Sequence, residues 1–184
     1  MSTINKSFEP GEVILSADAI ADLVAGLGRQ ISADYSGRDP VLINLLKGGV
    51  VFLADLIRQL EIPHQIDFLS VSSYDEGTRS SGAVRIVEDL RTNIAGRHVL
   101  IVEDVLDSGR TLTYILNMLK IRAPKTIEVC SLLRKESART SAGVQVKYVG
   151  KDIPNVFVVG YGLDYEERFR NLPYIAKLVG PGQL

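Results

Sequence analysis

The chain has little sulfur and little imidazole: one cysteine, Cys130, and two histidines, His64 and His98, among 184 residues. One thiol cannot close an intramolecular disulfide, and this set cannot assemble a thiol or imidazole zinc cluster. A reducing cytoplasm is the expected setting. Charge of one sign is also missing, because 21 Lys+Arg face 22 Asp+Glu and leave a net charge of -1. No overall field draws such a chain to nucleic acid or anionic lipid, so neither is an expected partner. Met1–Glu12 has no apolar core of the signal-peptide kind, and the most apolar region, Val41–Ile57, is interrupted by Lys47 and Asp55. The expectation is neither export nor a membrane span. Two familiar phosphate loops are absent as well. There is no G-x-x-x-x-G-K-[ST], and Tyr165 stands where a dinucleotide fingerprint starting at Gly160-Tyr161-Gly162 needs its last glycine.

What is present is ordinary for a packed soluble protein, with 46% hydrophobic and 23% charged residues. The length suits one domain, expected to span residues 1–184. Ser16 can cap an amphipathic helix whose apolar residues Ile20, Leu23, Val24, Leu27 and Ile31 recur at helical spacing. After Pro40, Val41–Leu46 reads as a buried strand, and Lys47-Gly48-Gly49 as a tight turn into a helix through Leu60. Further strands are expected over Ile66–Ser72, Val84–Val87, His98–Glu103, Thr126–Leu133, Val144–Val149 and Val156–Gly160, with a helix over Thr111–Ile121. The polar stretch from Ser73 to Gly82 reads as a mobile lid. Alternating strands and helices imply an α/β fold built on an open, mostly parallel sheet. Ligands bind beyond the carboxyl ends of such strands, so the turns at 47–49, 104–110 and 160–164 should gather at one edge.

The most informative segment is Val102-Glu103-Asp104-Val105-Leu106-Asp107-Ser108-Gly109-Arg110-Thr111-Leu112, in which two acids close a buried strand and a small-residue turn opens a helix. Backbone N–H groups from Asp107 to Thr111, with the Ser108 and Thr111 hydroxyls, can wrap a phosphate at the positive helix end. Gly109 permits close approach. Glu103 and Asp104 can accept bonds from vicinal ribose hydroxyls or hold a hydrated Mg²⁺. The plainer alternative is a solvated turn with Asp107 or Ser108 as an N-cap.

This segment resembles the phosphoribosyl-pyrophosphate (PRPP) signature of the type I phosphoribosyltransferases. Other matches narrow the resemblance to the hypoxanthine and hypoxanthine-guanine phosphoribosyltransferases. They are Leu46-Lys47-Gly48-Gly49, Ser72-Ser73-Tyr74, Ser131-Leu132-Leu133-Arg134-Lys135, and Phe157-Val158-Val159-Gly160-Tyr161-Gly162-Leu163-Asp164-Tyr165 running on to Arg168-Phe169-Arg170-Asn171-Leu172-Pro173. The resemblance implies a mostly parallel sheet flanked by helices, with a small hood from the terminal segments. It assigns Glu103 and Asp104 to the ribose hydroxyls and to Mg²⁺, Asp107 to proton transfer near purine N7, and Ser108, Gly109, Arg110 and Thr111 to the 5′-phosphate. Lys47, Gly48 and Arg170 fall to pyrophosphate, with a cis Leu46–Lys47 peptide, and Asp164 to a second Mg²⁺. Lys135 is assigned to the purine 6-oxo group, Phe157 to stacking on the base, and Val158 to its C2 edge. Ser73 and Tyr74 begin the lid.

The implied reaction joins a 6-oxopurine to PRPP, a purine-salvage step, in a homodimer or homotetramer. The chain carries Arg110 where many members have lysine, Ser108 where many have threonine, and Val156 where many have a charged residue. A regulatory RNA-binding protein on the same scaffold is the rival from another class. The balanced charge and the lack of an aromatic-basic stripe count against it. A closer rival is a transferase for another base such as xanthine. Cys130, in an apolar strand, reads as inert packing, and nothing in the sequence suggests a partner for His64 or His98.

Overall fold

Unbroken runs of β-branched and leucine side chains suit strands covered on both faces, and these form the centre of the molecule. The computed structural model describes residues 8–73, 84–141 and 144–180. Its elements, in chain order, are β1 (Glu9–Leu15), α1 (Ala17–Asp34), β2 (Val41–Leu46), α2 (Val50–Arg58), β3 (Gln65–Ser73), β4 (Val84–Glu88), β5 (His98–Leu106), α3 (Arg110–Lys120), β6 (Thr126–Lys135), α4 (Glu136–Ser141), β7 (Tyr148–Ile153), β8 (Val158–Val159) and β9 (Ile175–Val179).

A six-stranded sheet has the order β4-β3-β2-β5-β6-β7. All its neighbours are parallel except the edge strand β4, which runs antiparallel to β3. Side chains alternate faces along each strand. On β2, Leu42 joins one core with α1 and α2, through Ile20, Val24, Ile31, Phe52 and Leu56. Val41, Ile43 and Leu45 join the other with α3, through Leu112, Ile115 and Leu119. Ser16 caps α1 as expected, its Oγ accepting from the Ala19 N–H at 3.2 Å.

The hood is a second, three-stranded sheet of order β1-β9-β8. It does come from the two ends of the chain, but neither β1 nor β9 was expected as a strand. Pro10 and Gly11 make β1 look like a turn. Proline is tolerated there because β1 is an edge strand, antiparallel to β9 alone. The helix α4 was not expected either.

Two strands also shift. The expected strand at Val144–Val149 is β7, which begins only at Tyr148 and runs to Ile153. Val144 and Val146 instead pack on the second core, and the strand continues through polar Lys151 and Asp152 because it forms an exposed edge. The expected strand at Val156–Gly160 is reduced to Val158–Val159. Gly160, Tyr161 and Gly162 all have positive φ, at +99°, +51° and +95°, and this turn stops the strand.

Cys130 is fully buried, and burial pushes its thiol up, as expected of packing. The histidines do find partners, His64 Nδ1 with the Ile62 carbonyl at 2.9 Å and His98 Nδ1 with Thr126 Oγ1 at 2.8 Å. No described helix is long and apolar enough to cross a membrane.

Leu100, fully buried on the central strand β5, tests this account of the core. Leu100→Ala is expected to destabilise the fold by about 2–5 kcal/mol in urea denaturation. A loss below about 1 kcal/mol would contradict a close-packed centre.

Candidate active site

The three turns expected to gather do so, around a cavity of about 380 Å³. Its walls include Lys47 and Gly48 after β2, Glu103, Asp104 and Asp107 at the end of β5, Thr111 on α3, and Lys135 at the end of β6. Phe157, Val158, Asp164 and Arg170 come from the hood segment. Asn44, wholly buried on β2, donates from Nδ2 to the Val102 carbonyl at 3.0 Å. It ties the strand leading to Lys47 directly to the strand leading to Glu103. A larger cavity of about 570 Å³ lies between α1 and β7, with Leu15, Leu23 and Lys151 among its walls, and contains none of the expected site residues.

The floor is anionic. Asp104 Oδ1 accepts from the Val105 N–H at 2.7 Å, and a Cβ at Gly48 would collide with Asp104 Oδ2. Only glycine lets the 47–49 turn come this close. Burial pushes the Asp104 carboxyl up to about 6; the Val105 N–H and Arg170 act against this, while nearby Asp164 adds to it. Burial, then the Asp104 charge, holds Glu103 well above the usual carboxylate range. Two acids crowded out of water in this way are arranged to meet a cation or hydroxyl donors.

Beyond the acids the chain turns into α3. The residue before the helix is Gly109, with φ +72° and no side-chain cap, so neither Asp107 nor Ser108 serves as a plain N-cap. Gly109 adopts the left-handed backbone at no steric cost. Asp107 and Thr111 line the cavity, whereas Ser108, Gly109 and Arg110 do not. Lys135, only 12% exposed, reaches across from β6 to place its Nζ 2.7 Å from Asp107 Oδ2. β6 extends two residues past its expected end to carry Lys135 there.

Phe157 stands at the rim, 53% exposed, rather than in the core. Its ring meets Tyr165 edge-on with centroids 5.9 Å apart, and Tyr165 in turn packs on Phe8 at 4.7 Å. Neither Phe8 nor Tyr165 stood out in the sequence as a site residue.

The opposite wall is cationic. Arg170 donates to the Gly162 carbonyl at 2.8 Å and pairs with Asp164 at 2.8 Å. Glu167, which no sequence signal marked, accepts from Lys47 Nζ at 3.0 Å and from Arg170 at 3.1 Å. The Leu46–Lys47 peptide is cis. Glu103, Asp104 and Asp164 share the cavity, yet among the described residues no three His, Cys, Asp or Glu side chains gather closely enough to hold an ion by themselves. Ser73 ends β3, and Tyr74, with the rest of the expected lid, lies outside the described residues.

Residues 11–166 match the phosphoribosyl transferase domain. The hypoxanthine-guanine phosphoribosyltransferase of Mycobacterium avium is 52% identical over 178 residues, covering 92% of this chain and 87% of the relative. The hypoxanthine phosphoribosyltransferase of Salmonella typhimurium is 46% identical, covering 91% and 95%. The crystal structure of a hypoxanthine phosphoribosyltransferase from Staphylococcus aureus superposes with a TM-score of 0.87 at 45% identity, covering 92% of each chain. On these matches, and with the cavity at the strand ends, the chain belongs to the phosphoribosyltransferase family and groups with its hypoxanthine(-guanine) members.

The raised Asp104 carboxyl has a consequence for stability. Its folded pKa lies above the unfolded value, so the native state holds the extra proton between about pH 4 and 6, and stability falls as pH rises through that window. Asp104→Asn removes the charge and keeps an oxygen for the Val105 N–H. In EDTA it is expected to be more stable than wild type at pH 7.5 by about 1–2 kcal/mol, allowing for partial solvent screening, with the advantage gone near pH 4. Thermal melts across pH measure it, and no gain at neutral pH would contradict the burial argument.

Proposed function

We propose that this chain, as a single domain over residues 1–184, transfers the 5-phosphoribosyl group from Mg-PRPP to N9 of hypoxanthine or guanine. The products are IMP or GMP and pyrophosphate, and the reaction serves purine salvage. The observation that carries the reading is the Lys135–Asp107 pair, 2.7 Å apart in the same cavity as Phe157 and the acid pair. A 6-oxopurine has an acceptor, O6, beside N7 on one edge. Lys135 donates to O6 while Asp107 accepts from an N7–H, so neighbouring groups of opposite character meet neighbouring atoms of opposite character. Adenine presents an amino group to Lys135, donor against donor. A buried polar mismatch of this kind can discriminate strongly.

Glu103 and Asp104 accept from the ribose hydroxyls, Phe157 stacks on the base, and the backbone of Val158 faces its C2 edge. The turn from Asp107 to Thr111, with Ser108, Gly109 and Arg110, takes the 5′-phosphate at the start of α3. Lys47, Gly48 and Arg170 take the pyrophosphate.

The donor set fits Mg²⁺, which keeps several waters and uses one or two carboxylates with substrate oxygens rather than an all-protein cage. Glu103 and Asp104 would hold one ion and Asp164 a second. When bound, Mg²⁺ neutralises charge on the departing pyrophosphate. As the N9–C1′ bond forms and the C1′–pyrophosphate oxygen bond breaks, Asp107 takes the proton leaving N7. The cell location is the cytoplasm, and the assembly a homodimer or homotetramer.

The deciding experiment is a spectrophotometric assay with Mg-PRPP and each of hypoxanthine, guanine, xanthine and adenine. Turnover with the first two and not with adenine is expected, and no turnover with any 6-oxopurine would sink the proposal. Asp107→Ala should lower kcat by roughly 10²–10⁴ in a folded protein. Unchanged steady-state and single-turnover rates would remove Asp107 from proton transfer.

A further inference from the structure

Lys47, after β2, and Arg170, from the hood segment, are held together by one carboxylate. Glu167 uses one oxygen for each: Oε1 accepts from Lys47 Nζ at 3.0 Å, and Oε2 from Arg170 at 3.1 and 3.3 Å. A diphosphate would bridge two cations in the same way, with separate oxygens on a compact anion. We infer that Glu167 is an internal stand-in for pyrophosphate: its carboxylate occupies the cations of the leaving-group subsite and must leave them before a diphosphate binds. The inference rests on the proposed function for the identity of that anion.

The surroundings of Glu167 support displacement. Arg170 keeps two other anchors, the Gly162 carbonyl and Asp164, each at 2.8 Å, so the guanidinium stays aimed when Glu167 departs. The Glu167 side chain is 64% exposed and Lys47 67%, so solvent receives both groups freely and the pair yields readily to a more highly charged ligand. The backbone beneath does not share this freedom. Glu166, Glu167 and Phe169 all have positive φ, at +51°, +62° and +75°. The Glu167 N–H is held by Asp164 Oδ2 at 2.9 Å, and Tyr165 and Arg168 bond to each other at 3.2 and 3.0 Å. Left-handed backbone at non-glycine residues persists where the surroundings fix it, and it clusters at ligand clamps. This segment keeps Glu167 poised over the two cations, and its contact is with side chains that can exchange it for substrate.

A resident carboxylate lowers the affinity of the subsite for pyrophosphate. It thereby shortens the stay of the product, and the rate of product departure governs kcat in many enzymes.

Glu167→Gln keeps the size of the side chain and removes its charge. Inorganic pyrophosphate is titrated calorimetrically into wild type and E167Q, with MgCl₂ and again with EDTA, and its inhibition of the transferase assay is measured beside KM for PRPP and for hypoxanthine. E167Q is expected to bind pyrophosphate and PRPP roughly threefold to tenfold more tightly, the scale of losing an exposed ionic competitor. KM for hypoxanthine should stay within twofold, and the gain should shrink when Lys47→Met removes one of the two cations. Equal or weaker pyrophosphate affinity in a folded E167Q overturns the inference, since it makes Glu167 a support for the cations. So does a parallel rise in both KM values. If E167Q does not fold, Glu167→Asp, too short to span both cations, carries the same test. Wild type that binds pyrophosphate but turns over no purine would sink the proposed function and leave the titration to decide on Glu167. Wild type that does not bind pyrophosphate would overturn both.

Discussion

The absence of two β-carbons holds the site together. At Gly48 a side chain would run into Asp104 Oδ2, and at Gly162 into the Gly48 carbonyl. The turn after β2 therefore lies directly against the Asp104 carboxylate of β5 on one side and against the hood backbone at Gly162 on the other. Everything else in the site is spaced from that contact. Tyr161, between two glycines, reinforces it from behind, its hydroxyl donating to Asp55 of α2 at 2.7 Å. The helix that follows the 47–49 turn and the hood that covers it are thereby joined.

Around this point the charges are sorted by side. Glu103 and Asp104 form a half-buried floor whose carboxyls burial pushes above the usual range, and Asp164 stands near them. Lys47 and Arg170 form the wall beside it, and Lys135 with Asp107 forms a third station on β6 and the α3 turn. The proposed reaction uses this partition, with acids for hydroxyls and metal, cations for the leaving group, and a donor–acceptor pair for the base edge. The cluster of Tyr35, Glu128, Lys147, Asp34 and Tyr148 at the far end of the sheet is equally rich in charge. Its members satisfy one another, which is the mark of a structural network.

The central sheet was legible because it follows simple periodicity. Val41–Leu46 and His98–Glu103 are apolar on both faces, and only parallel strands under two helical layers require that. The PRPP segment was legible because its chemistry is contiguous in the chain. The hood was legible only as a resemblance. Its strands β1 and β9 are stabilised by pairing across more than 150 residues, and Pro10-Gly11 in one of them carries local turn chemistry. Phe157, singled out only by the resemblance, stands at the rim, and the positive-φ turn after Val159 cuts its strand short. Glu167 had no signal at all, and Tyr165 belonged to a family match without a role of its own. Their roles arise from where a left-handed loop happens to aim them, and backbone of that kind cannot be read from residue type when the residue is not glycine.

That the hood is woven from both chain ends separates two kinds of change. Substitutions along β1 or β9 act on the rim of the cavity, where Phe8, Tyr165 and Phe157 meet, while Glu103, Asp104, Asp107 and Lys135 sit at the strand ends and turns of the other sheet. Change at the extremities of such a polypeptide therefore reaches the aromatic rim first, while the charged groups keep the spacing that the larger sheet gives them.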